Sequence, residues 1–123
     1  MQNKPILEVD SLNFFINKKK IIDNISFSVF EQDFISIIGP NGSGKSTLLK
    51  LISGDIKSDS GQISILGKNQ YDWDILELAN YRSVLPQFNN LSFPFKVLDV
   101  IKMGRYPIIN KHNENNIYQE LLD

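Results

Sequence analysis

The residues best able to do chemistry lie together in Gly39-Pro40-Asn41-Gly42-Ser43-Gly44-Lys45-Ser46-Thr47. They satisfy the phosphate-loop pattern of a glycine, any four residues, Gly-Lys, and then Ser or Thr. Glycines let the backbone curl tightly and come close to a polyphosphate. The curl turns successive N–H groups inward as an anion-binding nest, and a following helix adds its own unpaired N–H groups and the positive end of its dipole. In such a loop Lys45 reaches the terminal phosphates as a point charge and the Ser46 hydroxyl ligates Mg²⁺. The chemistry implied is recognition of a nucleoside triphosphate.

A glycine-rich turn can arise by accident, so the flanks decide. Phe34-Ile35-Ser36-Ile37-Ile38 is apolar and β-branched, which predicts a short strand fit for a buried sheet. Leu48, Leu49, Leu51 and Ile52 then fall at helical spacing, with Gly54 as a stop. Strand, loop and helix stand in the order the mechanism needs. Upstream, 6–12 predicts a strand continuing extended to Ile16, and Asn17 to Lys20 a polar turn. The alternation of Ile25, Phe27 and Val29 with Ser26 and Ser28 predicts a returning strand. Downstream, the pattern predicts a turn at 57–61, a strand over 62–66, a helix over 74–81 with Asp74 and Glu77 spaced as a capping box, and a strand stub at 83–85. A further helix begins near Val97 and stops near Gly104, and another begins at Ile117.

The chain has 123 residues, 41% hydrophobic and 22% charged, with a net charge of −1. That composition is ordinary for a globular protein and offers no basic field for nucleic acid. Without cysteine there is no disulfide and no thiolate-ligated zinc. No apolar run approaches a membrane span, and the opening Met1 to Pro5 leads straight into a strand-like pattern without a signal-peptide core. The only histidine, His112, sits in a polar run and reads as a solvated loop residue.

Taken together, Leu7-Glu8-Val9, Ile22 to Phe27, Gly39 to Thr47, Ser60-Gly61-Gln62-Ile63 and Val84-Leu85-Pro86-Gln87 resemble the ATP-binding subunit of ABC transporters. The resemblance implies an α/β P-loop core with an N-terminal antiparallel β region. It divides the chain into 1–33 (antiparallel β), 34–87 (core, to the Q-loop) and 88–123 (the start of a helical subdomain). It implies ATP and Mg²⁺ as cofactors and places Gln87 as the Q-loop glutamine beside Mg²⁺ and the attacking water. The adenine-stacking position, an aromatic in the family, falls on Ile16 here, with Phe14 projecting to the same face. Leu91 to Val97 and Met103-Gly104-Arg105-Tyr106-Pro107 are similar to importers of iron chelates and vitamin B12, above all of haemin. Ile108 stands where those subunits often carry a histidine.

From that resemblance follow the expected partners: permease subunits touching the Q-loop and 88–107, with Phe93 and Phe95 as aromatic anchors, and a second copy of the ATP-binding subunit. The expected location is peripheral, on the cytoplasmic face of the inner membrane. Other ABC systems (vitamin B12, siderophores) and a nucleotide-binding fragment without turnover are the alternatives. A small P-loop kinase fits less well, because such kinases open near the phosphate loop itself. Family members run to roughly twice this size, within the range of single domains. The Leu-Ser-Gly-Gly-Gln signature, the acidic Walker B strand and the switch histidine normally follow the point reached at residue 123. The expectation is an N-terminal half that holds ATP without hydrolysing it, with the 34–38 strand short of neighbours and prone to aggregate.

Overall fold

A computed structural model describes residues 4–87 and 94–106. Two alternating apolar runs joined by a polar turn form the antiparallel pair β1 (Leu7–Ile16) and β2 (Lys19–Val29). The connection is only Asn17 and Lys18, with φ of 48° and 66°. Positive φ at both central residues suits the right-handed strand twist, and Asn accepts it more readily than most residues. β3 (Ser60–Ile65) pairs antiparallel with the other edge of β1, and β4 (Lys68–Asn69) returns across Leu66 and Gly67. The sheet order is β2-β1-β3-β4.

The β1–β3 contact needs a glycine. Gly61 has φ 86°, and a Cβ there would stand 2.5 to 2.6 Å from backbone atoms of Asp10, Ser11 and Leu12. Ser11 itself has φ 50° at an irregularity in both pairings of β1. Its N–H leaves the ladder and donates to the Ser26 hydroxyl at 2.8 Å.

Helix α1 (Lys45–Ser53) covers one face of this sheet. Leu48 and Leu51 join Val9, Leu12, Ile22 and Ile63 in the core, with Leu12 and Leu51 fully buried. The helix ends as its sequence predicts. Gly54 takes φ 80°, and the N–H groups of Gly54 and Asp55 close on the carbonyls of Leu51 and Lys50 at 3.2 and 2.9 Å.

By its contacts the chain divides into two units, Met1–Trp73 and Asp74–Asp123. The second contains α2 (Ile75–Leu78) and α3 (Val97–Gly104). Asp74 caps α2, its carboxylate accepting the N–H groups of Leu76 and Glu77 at 2.9 and 3.2 Å. This is the Asp74 half of the expected capping box, on a helix shorter than predicted. Helix α3 matches its expected range and buries none of its residues.

Two expected strands do not form. Residues 34–38 and 83–85 run without strand pairing, and Phe34 and Ile38 are each 92% exposed. The reason is physical. An apolar strand of this kind is stable when strands flank both edges and helices cover both faces. Among the described residues every strand is already committed to the β2-β1-β3-β4 sheet.

Candidate phosphate-binding site

The loop between Ile38 and α1 is built around three glycines, each for a different reason. Gly39 closes against Ser43, whose hydroxyl would lie 2.9 Å from an added Cβ. Gly42 needs only its φ of 80°, with open space around it. Gly44 needs both conformation and space: φ is 95°, and a Cβ would meet the Ile21 carbonyl oxygen at 3.0 Å and side-chain atoms of Ile21 and Ile22 at 3.3 Å. The loop therefore rests on β2 through Gly44.

Gly44 is also the N-cap of α1, with no side chain to satisfy the helix's first amides and no acidic residue in its first turn. The first helical bond runs from Leu48 N to Gly44 O at 2.8 Å. The amides of Lys45, Ser46 and Thr47 precede it and have no acceptor within the helix. With the helix dipole they make a seat for an anion. Ser43 N closes the turn on Pro40 O at 3.2 Å, and Asn41 lies exposed at its tip.

Lys45 turns its ammonium back over this curl. Nζ donates to the carbonyls of Gly39 and Pro40, each at 2.7 Å, and approaches the Ser43 hydroxyl at 3.4 Å. The positive charge is thus held over the mouth of the loop, where a phosphate entering the nest would meet it. Ser46 is exposed one residue further on. Its hydroxyl can be one ligand of a divalent cation, and the rest of an oxygen shell would come from the phosphates and water. Among the described residues no group of three or more histidine or acidic side chains could hold a metal. The donor set fits Mg²⁺ brought in with a nucleotide rather than a preformed metal cage.

The β1–β2 hairpin carries the expected base-contact residue. Ile16, at the end of β1, pairs with Lys19 and is 48% exposed. Phe14 pairs with Ile22, beside the Gly44 contact, and packs against the core, so its ring is largely committed there. Phe15 is the ring left open: it is 42% exposed, with Lys20 Nζ 5.6 Å from its centroid. Asp59 fixes this end of the hairpin, accepting the Phe15 N–H at 2.7 Å while its own N–H donates to Asn13 O at 3.0 Å. Asn13 in turn accepts the Asn24 N–H at 2.9 Å. No spacing rule announces the Phe15–Asp59 bond, which joins residues 44 apart in the chain.

Gln87 lies exposed just after Pro86, in the second unit, in non-helical backbone. Lys45, Ser46 and the glycines of the loop are brought together within the first unit. Phe95 is described and 43% exposed. Phe93, Ile108 and His112 fall outside the described residues. No helix among those described is long and apolar enough to cross a membrane.

The family model described as ABC transporter matches residues 22–121. The Hemin import ATP-binding protein HmuV of Escherichia coli O157:H7 is 35% identical over 114 residues, which cover 93% of this chain and 44% of that protein. Its counterpart in Enterobacter cloacae is 38% identical over 113 residues, covering 92% of this chain and 43% of that protein. A solved structure of an ATP-binding subunit of an ABC transporter superposes with a TM-score of 0.71 at 26% identity, over 83% of this chain and 42% of that one. The chain spans less than half the length of the curated relatives it matches.

Proposed function

The chain belongs to the ABC transporter family, and from that premise we propose that it is the ATP-binding part of an importer whose cargo is haemin or another iron chelate. The observation that carries the nucleotide half of this reading is the Lys45 ammonium gathered at 2.7 Å onto Gly39 and Pro40, beside the uncapped amides of α1. The cargo rests on the hemin-import relatives, at 35% and 38% identity.

In this reading the nest formed by 39–47 cradles the β- and γ-phosphates, and Lys45 neutralises the charge they carry. Ser46 would hold a Mg²⁺ ion that would polarise the phosphoryl oxygens, and the family resemblance assigns Gln87 to that ion. Ile16 offers apolar contact to the base. Gln87 and 88–107 face permease subunits at the inner membrane's cytoplasmic face, and a second ATP-binding subunit completes the assembly. Helix α3 suits such a role, since Val97, Leu98, Ile101 and Met103 present unburied apolar surface.

Domain ranges of 1–33, 34–87 and 88–123 belong to the same proposal. So does the behaviour of these 123 residues alone, which hold ATP without turning it over. In-line attack needs a placed water and charge stabilisation from the far side as well as a phosphate loop.

The test is growth of the source organism with its chromosomal Lys45 codon changed to alanine. Haemin should no longer serve as sole iron source, while ferrous iron still does. Intact growth on haemin with lost growth on a ferric siderophore would move the cargo, and intact growth on both contradicts the proposal.

A further inference from the structure

Gln70, just beyond β4, is only 5% exposed. Its backbone N–H donates to Ile63 O at 2.9 Å, which ties it to β3. Its side-chain Nε2 donates to Leu51 O, in the last turn of α1, at 3.1 Å. A carbonyl can only accept, so the amide's orientation is set by Leu51. The other end of the amide, Oε1, is buried without a partner among the described residues.

A buried amide with one end unsatisfied is costly, and an apolar side chain of similar volume would fill the space without that cost. The question is what the amide does that such a side chain would not. Leu48 and Leu51 hold α1 on the sheet by apolar contact, which is non-directional and tolerates small sliding along the helix axis. A hydrogen bond weakens steeply with distance and angle. Gln70 therefore fixes the axial position of α1 against β3. The helix is nine residues long and rigid, roughly 13 Å from end to end at 1.5 Å per residue. Fixing its last turn fixes its first, where Lys45, Ser46 and Thr47 present their amides.

We propose that Gln70 is a positioning residue for the phosphate loop, setting the placement of α1 and so of Lys45 and the first-turn amides toward a triphosphate. The proposal rests on the reading that the loop binds nucleotide. It touches no substrate itself.

The experiment compares the 123-residue wild type with Gln70→Met, which keeps the length but removes the donor, and with Ile63→Val, a core change that leaves the clamp intact. Mg-ATP and inorganic tripolyphosphate are titrated into each by calorimetry, and amide hydrogen exchange is followed. Gln70→Met should bind both ligands at least fivefold more weakly and by the same factor, since the phosphate seat is what moves. Exchange at Leu48 to Ile52 should quicken at least tenfold while Val9 keeps its protection. Ile63→Val should bind as the wild type does. Wild-type affinity in Gln70→Met, or an equal loss in Ile63→Val, overturns the proposal while the nucleotide reading stands. Unchanged exchange along α1 overturns it whatever binds. A wild type that binds neither ligand overturns both together.

Discussion

A Cβ built on Gly44 would stand 3.0 Å from the carbonyl oxygen of Ile21, so the phosphate loop and strand β2 meet at a point with no room for a side chain. Gly44→Ala must also hold an alanine at φ 95°. Non-glycine residues in such regions cost of order 1–3 kcal/mol. Gly42→Ala pays for φ 80° alone, its Cβ meeting no non-adjacent described residue within 4 Å. Thermal melts should therefore rank wild type above Gly42→Ala and Gly42→Ala above Gly44→Ala, with ATP affinity falling most in Gly44→Ala. Equal melting of the two variants would mean that the Ile21 contact does not constrain the loop.

Gly61→Ala is expected to be the most damaging glycine substitution in the first unit. Its Cβ would meet backbone atoms of three consecutive β1 residues at 2.5 to 2.6 Å, and backbone cannot rotate aside as a side chain can. A loss above about 3 kcal/mol is expected, from strain and overpacking together. Circular dichroism should show reduced strand content, and hydrogen exchange should show β3 unprotected before β2. A cooperative melt at the wild-type temperature would contradict the β1–β3 pairing.

Much of this was legible in advance, and what was not has identifiable causes. The motif at 39–47 and the leucines after it announce the loop and α1, because local chemistry dictates both. The same locality made the Asn17–Lys18 turn and the Gly54 cap readable. The pairing of β3 with β1 was not, since it depends on contacts across about fifty residues of chain, and β4, two residues long, is too short to show a pattern. Phe34 to Ile38 has the composition of a central strand, but composition cannot supply neighbours, and among the described residues none pairs with it. Phe15 looks like Phe14 in sequence. Strand alternation puts the two on opposite faces, and only the fold says which face is covered: Phe14 packs against the core and Phe15 stays open.

Ile16→Tyr tests the base contact. If the exposed end of β1 faces the adenine, an aromatic ring there should strengthen ATP binding by about 1 kcal/mol, or roughly fivefold. Tripolyphosphate, which has no base, should bind as before. Unchanged ATP affinity would show that Ile16 does not meet the base and would direct attention to Phe15.

Gln87→Ala should part binding from turnover. In the complete subunit ATP should bind with near wild-type affinity, while hydrolysis and its coupling to transport slow at least tenfold, as expected for a group that orients the metal and water rather than the phosphates. Loss of ATP affinity with coupling intact would remove Gln87 from that role.

The most direct measurement is calorimetric titration of Mg-ATP into the 123-residue chain and into its Lys45→Ala variant, with phosphate release followed in parallel. Lys45 is the cation held over the loop by Gly39 and Pro40. Binding at a single site, weakened at least tenfold in Lys45→Ala and without steady phosphate release from either chain, is the predicted result. Equal affinity in the two chains, or steady phosphate release that Lys45→Ala abolishes, would contradict a loop that holds ATP through Lys45 without turning it over.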